Sequence, residues 1–340
     1  MTKQPQTADI TAEGQKNVIR RVEEVLGKAG PLVALIIISV FLTFKTSAFL
    51  TADNLINVGR QAASNGLIAI GMMLAILTGG IDLSVGSTMA LAMVIMAKCI
   101  EAGVNSILCI IICLISGAVL GLINGLLLTK MKLPHPFIST LGTQNIYRGI
   151  CLLLTLGTPI SGMPEAVKWA GAAYLGPIPV SLIILLVVFV LAGFFLRDTT
   201  LGRHIYAYGG NRTTARLSGV NVDFTLCAVF TLSGLMCGLS GLILAGRVDA
   251  VYPMAGVGWD TDAIAAVIIG GTSFFGGKGT ILGTFTGVIL IAILRNGLNL
   301  LYITPDMQPV ILGMVIILSV FNDVVRNGGF KTVQKKPVKN

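Results

Sequence analysis

The residues of this sequence that could do chemistry are few, and most of them lie in or beside apolar stretches. Asp82 stands in TGGIDLSVGS between two apolar runs, where a carboxylate is costly unless it is hydrogen-bonded. Two compatible hypotheses are open for Asp82: it caps the helix that follows Gly80, or it belongs to a transport path. Further candidates for a path are polar residues in similar positions: Ser84, Asn124, Gln144, Asn145 and Asp262. Hydrogen bonds between helices would also explain each of them taken singly.

No catalytic motif accompanies these polar residues. The sequence contains no G-x-x-x-x-G-K-[ST] phosphate loop, no G-x-S-x-G nucleophile motif and no H-E-x-x-H metal motif. Its six cysteines lie in or beside apolar runs without a C-x-x-C, and its two histidines are far apart. This pattern favours small packing residues over metal ligands. We therefore expect no enzymatic activity in this chain, no metal and no cofactor.

Composition indicates what must position the polar residues. Of 340 residues, 54% are hydrophobic and 11% are charged, whereas a soluble protein has about 25% charged residues. These values exclude an ordinary soluble enzyme, a disordered chain and a disulfide scaffold, and they predict an all-α polytopic membrane protein. The net charge of +9 would suggest a nucleic-acid partner in a soluble protein. Here the basic residues lie mostly in short loops and tails, so we expect no nucleic acid.

The apolar segments predict about ten transmembrane helices. They cover 31–50, 61–78, 84–100, 106–128, 137–156, 179–196, 224–246, 261–273, 280–302 and 308–325. Helices are expected to break in two Gly-rich stretches, near 79–86 and near 270–280. A second interpretation of residues 61–100 is a single broken or re-entrant element.

Basic residues predict the orientation in the membrane. With the N-terminus in the cytoplasm, 17 of the 24 Lys and Arg residues fall in cytoplasmic segments, five outside and two within spans. We therefore expect a membrane domain at 31–325 between two cytoplasmic tails, 1–30 and 326–340. The loop 197–223 is also cytoplasmic and is the longest polar stretch between spans. It forms either a short helix along the membrane surface or a solvated connector.

Small residues predict where helices pack closely. The pattern S-G-x-x-x-G occurs at 116–121 and again at 233–238, and such spacing lets two helix backbones approach each other. Two matching motifs in segments of opposite direction also suggest an inverted internal repeat.

Three stretches carry a resemblance to a known family: LTGGIDLSVGS (77–87), TLGRHIYAYGGNRTTARLSGVNV (200–222) and AVIIGGTSFFGGKGTILGTFTG (266–287). Over about residues 30–325, the chain resembles permease subunits of bacterial ABC importers for monosaccharides such as ribose, xylose and galactose. The resemblance implies an inner-membrane protein, surrounded by lipid, that moves a monosaccharide. It also implies three protein partners: a second permease subunit, identical or different, a cytoplasmic ATPase and a periplasmic sugar-binding protein.

The resemblance assigns the loop at 197–223 to contact with the ATPase. The residues concerned are Gly202, Arg203, Ala207, Gly209, Asn211, Ala215, Arg216 and Gly219. The small side chains at Ala207, Gly209 and Ala215 suggest that something packs closely against this loop. Its arginines would supply charge-assisted hydrogen bonds to the partner.

Two alternative functions stay open. Related permeases carry branched-chain amino acids or nucleosides, but a zwitterion would favour more charged partners than the polar residues here offer. A self-sufficient ion-coupled transporter would need membrane-embedded acids as a relay, and Asp82 and Asp262 are the only candidates.

Overall fold

The computed structural model describes residues 30–326, with side chains as far as Phe321, and this part of the chain is mostly helical. Residues 1–29 and 327–340, which hold nearly all of the two predicted tails, lie outside the described range. The helices are α1 (Gly30–Lys45), α2 (Ala52–Leu77), α3 (Val85–Glu101), α4 (Ser106–Thr129), α5 (Pro136–Thr155), α6 (Glu165–Ala172), α7 (Val180–Asp198), α8 (Thr200–Gly210), α9 (Arg212–Leu217), α10 (Val222–Val248), α11 (Trp259–Ile269), α12 (Ile281–Leu300) and α13 (Gln308–Arg326).

Within the described residues, five helices are long and apolar enough to cross a membrane: α2, α4, α7, α10 and α12. A helix coincides with each of the ten predicted spans, but α3 has 17 residues and α11 only 11. At 1.5 Å per residue, α11 covers about 16 Å, which is half of a hydrocarbon core. The helices establish a multi-pass membrane architecture, and their lengths do not confirm the predicted count of ten spans.

Helix α10 lies at the centre of the bundle, with α2, α3, α4 and α6 packed around it. Its closest neighbour is α4, because glycines replace side chains where the two helices meet. A Cβ atom on Gly121 would lie 2.1 Å from the Phe230 carbonyl oxygen, and one on Gly117 would lie 2.4 Å from that of Gly234. The two S-G-x-x-x-G motifs therefore face each other across an antiparallel contact. The internal repeat itself stays a prediction.

The first Gly-rich break, residues 78–84, is a reversal of the chain between α2 and α3. Helix α2 runs antiparallel to α10, whereas α3 runs parallel to it. The contacts that show this are Ser64 with Ser240 and Gly71 with Ser233 for α2, and Asp82 with Ser233 and Met89 with Ser240 for α3. Because Asp82 and Gly71 meet the same serine, the segment turns back into the bundle before α3 begins.

The second break, residues 270–280, joins α11 and α12 in an antiparallel hairpin. A Cβ atom on Gly287 would lie 1.9 Å from the Ala266 carbonyl oxygen, and one on Gly283 would lie 2.0 Å from that of Gly270. Both expected breaks are therefore turns between helices, and α11 and α12 pack backbone against backbone on either side of theirs.

Four two-residue strands lie at one end of the bundle. β1 (Ile160–Ser161) pairs with β4 (Ala250–Val251), and β2 (Tyr174–Leu175) forms a hairpin with β3 (Ile178–Pro179). Helix α10 begins beside α8 and α9 and ends beside β4. The strands and the α8–α9 segment therefore mark opposite ends of the molecule.

Candidate functional site

The loop at 197–223, which the resemblance assigns to contact with an ATPase, folds into two short helices, α8 and α9. The Thr199 hydroxyl oxygen accepts the Gly202 N–H (3.0 Å) at the start of α8, and the Asn211 side-chain oxygen accepts the Thr214 N–H (2.9 Å) at the start of α9. Both are N-cap contacts that satisfy free backbone donors. Gly219 ends the segment with φ +85°, a conformation that favours glycine. The loop is therefore helical, and its position along a membrane surface stays a prediction.

One side of α8 and α9 packs against the chain itself. A Cβ atom on Gly202 would lie 2.5 Å from the carbonyl oxygens of α7, and one on Gly209 would lie 1.8 Å from the Leu77 carbonyl oxygen. Ala215 is only 4% exposed. The close packing predicted for Gly209 and Ala215 is present, but the neighbour is this chain and not a partner. A pattern of small residues does not distinguish these two cases.

The other side of the segment is exposed and basic. Arg203, Ala207, Asn211, Arg216 and Gly219 are all exposed. Leu217, which the sequence did not single out, is 85% exposed. Among residues 30–326, neither Arg203 nor Arg216 forms an ion pair. The exposed positions of this segment therefore include two arginines without an ion pair among the described residues and one large apolar side chain.

The two tyrosines of α8 anchor its packed side. Burial raises the pKa of Tyr206 and of Tyr208, so both phenols keep their protons at neutral pH. The Tyr206 hydroxyl donates a hydrogen bond to the Gly279 carbonyl oxygen at 3.0 Å. Arg212 lies over the Tyr208 ring, 5.6 Å from its centroid.

Three of the six path candidates form one buried cluster. The Asp82 carboxylate accepts the Ser84 N–H (3.0 Å) and the Ser84 hydroxyl (2.6 Å). Its second oxygen accepts the Ser233 hydroxyl at 3.1 Å. Asn124 donates to the Ser84 hydroxyl oxygen (2.8 Å) and accepts from the Thr143 hydroxyl (2.7 Å). Asp82 thus holds the turn that leads into α3, because it accepts the N–H of Ser84, the residue just before the helix. A capping role for Asp82 in the first turn of α3 stays a prediction.

This cluster lies deep in the bundle. Ser233 is eleven residues after Val222, about 16 Å along the helix at 1.5 Å per residue. Asp82, Ser84 and Asn124 are at most 2% exposed. The cluster therefore lies inside the protein core, and none of its three candidates opens onto the surface.

Asp262 is held by an ion pair. Both of its oxygens accept hydrogen bonds from Arg295, at 2.6 and 2.7 Å, and Asn65 donates to it at 3.3 Å. Asp262 is 1% exposed, whereas the Arg295 side chain is 32% exposed. The fork of the guanidinium matches the two carboxylate oxygens, which is the strongest geometry for such a pair.

The two remaining path candidates lie on the outer surface of α5. Gln144 is half-buried, and Asn145 is exposed with its side-chain amide bonded to the Leu141 carbonyl oxygen at 2.9 Å. Arg148, one turn after Gln144, donates to the carbonyl oxygens of Pro253 and Ala255. The structure thus separates the six candidates into a core cluster, an ion pair and a surface pair.

A feature that the sequence did not predict lies at the strand end of the bundle. A cavity of about 410 Å³ is lined by Asp53, Ile56, Asn57, Arg60, Tyr174 and Pro177. Arg60 donates to the Tyr174 hydroxyl (3.0 Å) and lies over its ring. The Arg60 Nε is buried without a hydrogen-bond partner among the described residues. The separation of 114 residues between Arg60 and Tyr174 left no local signal for this contact.

Comparison with known proteins identifies the family. Residues 54–320 match the family described as branched-chain amino acid transport system / permease component. The chain is 44% identical over 301 residues to the ribose import permease protein RbsC of Bacillus subtilis (strain 168), covering 88% of this chain and 93% of that protein. It is 42% identical over 291 residues to the D-allose transport system permease protein AlsC of Escherichia coli (strain K12), covering 85% and 88%.

A third relative extends the range of named sugars. The xylose transport system permease protein XylH of Escherichia coli (strain K12) is 34% identical over 358 residues, covering 86% of this chain and 90% of that protein. No solved structure matches the chain. The family match begins in α2 and ends in α13, so it covers nearly the whole described bundle. The chain therefore belongs to the permease family described as the branched-chain amino acid transport system permease component.

Proposed function

We propose that this chain is the membrane permease subunit of an ATP-driven importer that moves a monosaccharide, ribose or a related sugar, across the inner membrane. The observation that carries the proposal is its similarity, over 85% or more of the chain, to permeases named for ribose and allose import. The family description names branched-chain amino acids, whereas these relatives are named for sugars. A sugar is therefore the preferred substrate.

The buried charges support an uncharged solute and an external energy source. Asp262 is neutralised by Arg295, and the Asp82 carboxylate is held by serine donors. Neither acid is free to act as a relay, which disfavours a self-sufficient ion-coupled transporter. The path candidates on the outer surface, Gln144 and Asn145, carry neutral amides that can bond to sugar hydroxyls.

ATP hydrolysis belongs to a separate cytoplasmic subunit, which binds the exposed face of α8 and α9. The periplasmic sugar-binding protein docks at the opposite, strand-bearing end. A second permease subunit, identical or different, completes the path. The permease has inward- and outward-facing arrangements of similar free energy, and the loaded binding protein and ATP favour one of them.

The orientation completes the proposal: ten spans with both termini in the cytoplasm. It is supported by the 17 basic residues on that side against five outside. Reporter fusions at residues 1 and 340 should both show cytoplasmic activity. A membrane-impermeant thiol probe should label a cysteine placed at Lys168 from outside. An external C-terminus would contradict the even number of spans.

Substrate class is tested by reconstitution. The permease is placed in vesicles with candidate ATPase and sugar-binding-protein subunits, and uptake of labelled ribose, allose, xylose, leucine and adenosine is measured. We expect ATP-dependent uptake of at least one sugar that disappears without the binding protein. ATP-dependent uptake of leucine or adenosine alone would replace the sugar proposal by its alternative. Uptake driven by an ion gradient without ATPase would contradict the importer class.

ATPase contact is tested on the exposed face. Ala215 is buried against its own chain, so a bulky residue there would disturb folding instead of docking. Arg216→Glu and Ala207→Trp change exposed positions, and both should lower ATPase co-purification and sugar-stimulated ATP hydrolysis. The effect of Arg216→Glu should weaken at high salt. Lys98→Glu reverses a charge at the far end of α3 and is the control for ATPase co-purification alone, because it also breaks an ion pair with Glu101 and lies at the end proposed for the binding protein. Unchanged ATPase recovery in both test variants would contradict a contact on this face.

A further inference from the structure

Three segments meet behind the exposed face of α8. They are the end of α2 at Leu77–Gly79, the α11–α12 loop at Gly276–Gly279, and the second half of α8 at Tyr206–Gly210. We name this meeting point the glycine junction and define it by Leu77, Gly79, Gly209, Gly276 and Gly277. It therefore joins α8 to both Gly-rich breaks.

The glycine junction consists of backbone contacts. The Gly277 N–H donates to the Leu77 carbonyl oxygen at 2.9 Å. A Cβ atom on Gly209 would lie 1.8 Å from the same oxygen and 2.5 Å from the Gly277 nitrogen. A Cβ atom on Gly276 would lie 2.8 Å from the Gly79 nitrogen. No side chain larger than hydrogen fits at Gly209 unless the three segments separate.

Backbone contact has a mechanical consequence. Side chains at an interface can change rotamer and absorb a small displacement, whereas a helix backbone in direct contact has no such freedom. A shift of α8 must therefore move the end of α2 and the α11–α12 loop together. The Tyr206 hydroxyl adds a second link, to the Gly279 carbonyl oxygen at 3.0 Å.

We propose that the glycine junction transmits movement of α8 to α2 and to the α11–α12 hairpin, so that its residues are positioning residues for coupling. The proposal rests on the proposed function, because it assumes that an ATPase binds the opposite face of α8. It adds which membrane elements receive the movement. The break that follows α2 contains the buried Asp82, and α11 of the hairpin contains the buried Asp262.

Gly209→Ala tests the proposal, and Gly210→Ala is its matched control. The two glycines are neighbours on α8, but a Cβ atom on Gly210 would meet nothing within 4 Å. In Gly209→Ala we expect ATPase co-purification to persist, because the added methyl group points into the protein's own chain and no exposed side chain of α8 is replaced. Sugar transported per ATP hydrolysed should fall by about tenfold, within the usual range of coupling between sites. Gly210→Ala should keep the parent ratio.

Tyr206→Phe is the second variant, which removes only the hydroxyl contact to Gly279. It should keep ATPase recovery and show a smaller decrease in sugar transported per ATP. A single symmetric peak in size-exclusion chromatography in detergent identifies the variants that fold. The ratio of sugar transported to ATP hydrolysed is compared among those variants. A parent-like ratio in every folded junction variant would overturn the proposal. A parent complex that transports no sugar would instead count against the proposed function, so the two failures are distinguishable.

Discussion

Two buried acids in this bundle are stabilised in different ways. Asp82 is 2% exposed and Asp262 is 1% exposed. The Asp82 carboxylate accepts three hydrogen bonds from a backbone N–H and two serine hydroxyls. The Asp262 carboxylate accepts two from one guanidinium and one from an asparagine. Asp82 therefore depends on several neutral donors, whereas Asp262 depends mainly on one opposite charge.

The difference predicts how each site responds to substitution. Removing one partner of a buried ion pair leaves an uncompensated charge in a medium of low dielectric constant. Removing one neutral donor among several leaves the other donors in place. We therefore expect the Asp262 site to be the more sensitive to substitution of a single partner.

The largest effect is expected for Asp262→Asn. The substitution keeps the shape of the side chain but leaves the Arg295 guanidinium without its counter-charge. The cost should be ~3 kcal/mol, at the low end for a buried pair, because the Arg295 side chain is 32% exposed. Thermal unfolding of the purified permease in detergent measures the loss. The double variant Asp262→Asn with Arg295→Gln should recover much of it, because it removes both charges. Equal destabilisation in the single and double variants would show that charge compensation is not the main role of the pair.

Asp82→Leu should have the next largest effect. Leucine removes the acceptor of the Ser84 N–H and of the Ser233 hydroxyl, which costs ~1–3 kcal/mol in total because a serine hydroxyl can rotate to another acceptor. We expect poor yield of folded permease and loss of sugar uptake. Normal unfolding temperature and normal uptake in this variant would show that the Asp82 cluster is not needed for the fold.

Asp82→Asn separates the two hypotheses for Asp82. Asparagine caps helices about as well as aspartate, so the contact with the Ser84 N–H can persist. A loss of ~1–2 kcal/mol is expected, because the amide NH2 replaces one of the two oxygens that accept hydrogen bonds. Sugar uptake should then remain close to that of the parent at equal membrane abundance. Abolished uptake with normal abundance would mean that the charge itself acts in transport.

The sequence predicted the positions of both Gly-rich breaks, because glycine clusters are a local signal. It could not show that both breaks meet α8, since Leu77 and Gly277 are 200 residues apart. Nor could it show what Arg148, which lies within the predicted span 137–156, would contact. Its partners are the carbonyl oxygens of Pro253 and Ala255. Because every residue has a backbone carbonyl, the sequence does not identify which one an arginine contacts. Local features of the site were therefore predictable, whereas contacts between distant segments were not.

Ser233→Ala should give the smallest loss of stability among these variants. The hydroxyl provides one of three hydrogen bonds to Asp82, at 3.1 Å, and the other two come from Ser84 on the same turn. Its loss should cost about 1 kcal/mol, because the carboxylate keeps two donors. Alanine is smaller than serine, so the substitution introduces no clash with Gly71 on α2.

Comparing Ser233→Ala with Arg295→Gln tests the distinction directly, since each removes one donor of a buried acid. If acids in this bundle are stabilised as the contacts indicate, Arg295→Gln should lower the unfolding temperature several times more than Ser233→Ala. Two equal shifts would mean that Asp82 depends on a single donor as strongly as Asp262 depends on its arginine. The number of hydrogen-bond donors would then no longer explain how the Asp82 carboxylate is tolerated in the core of the bundle without an opposite charge.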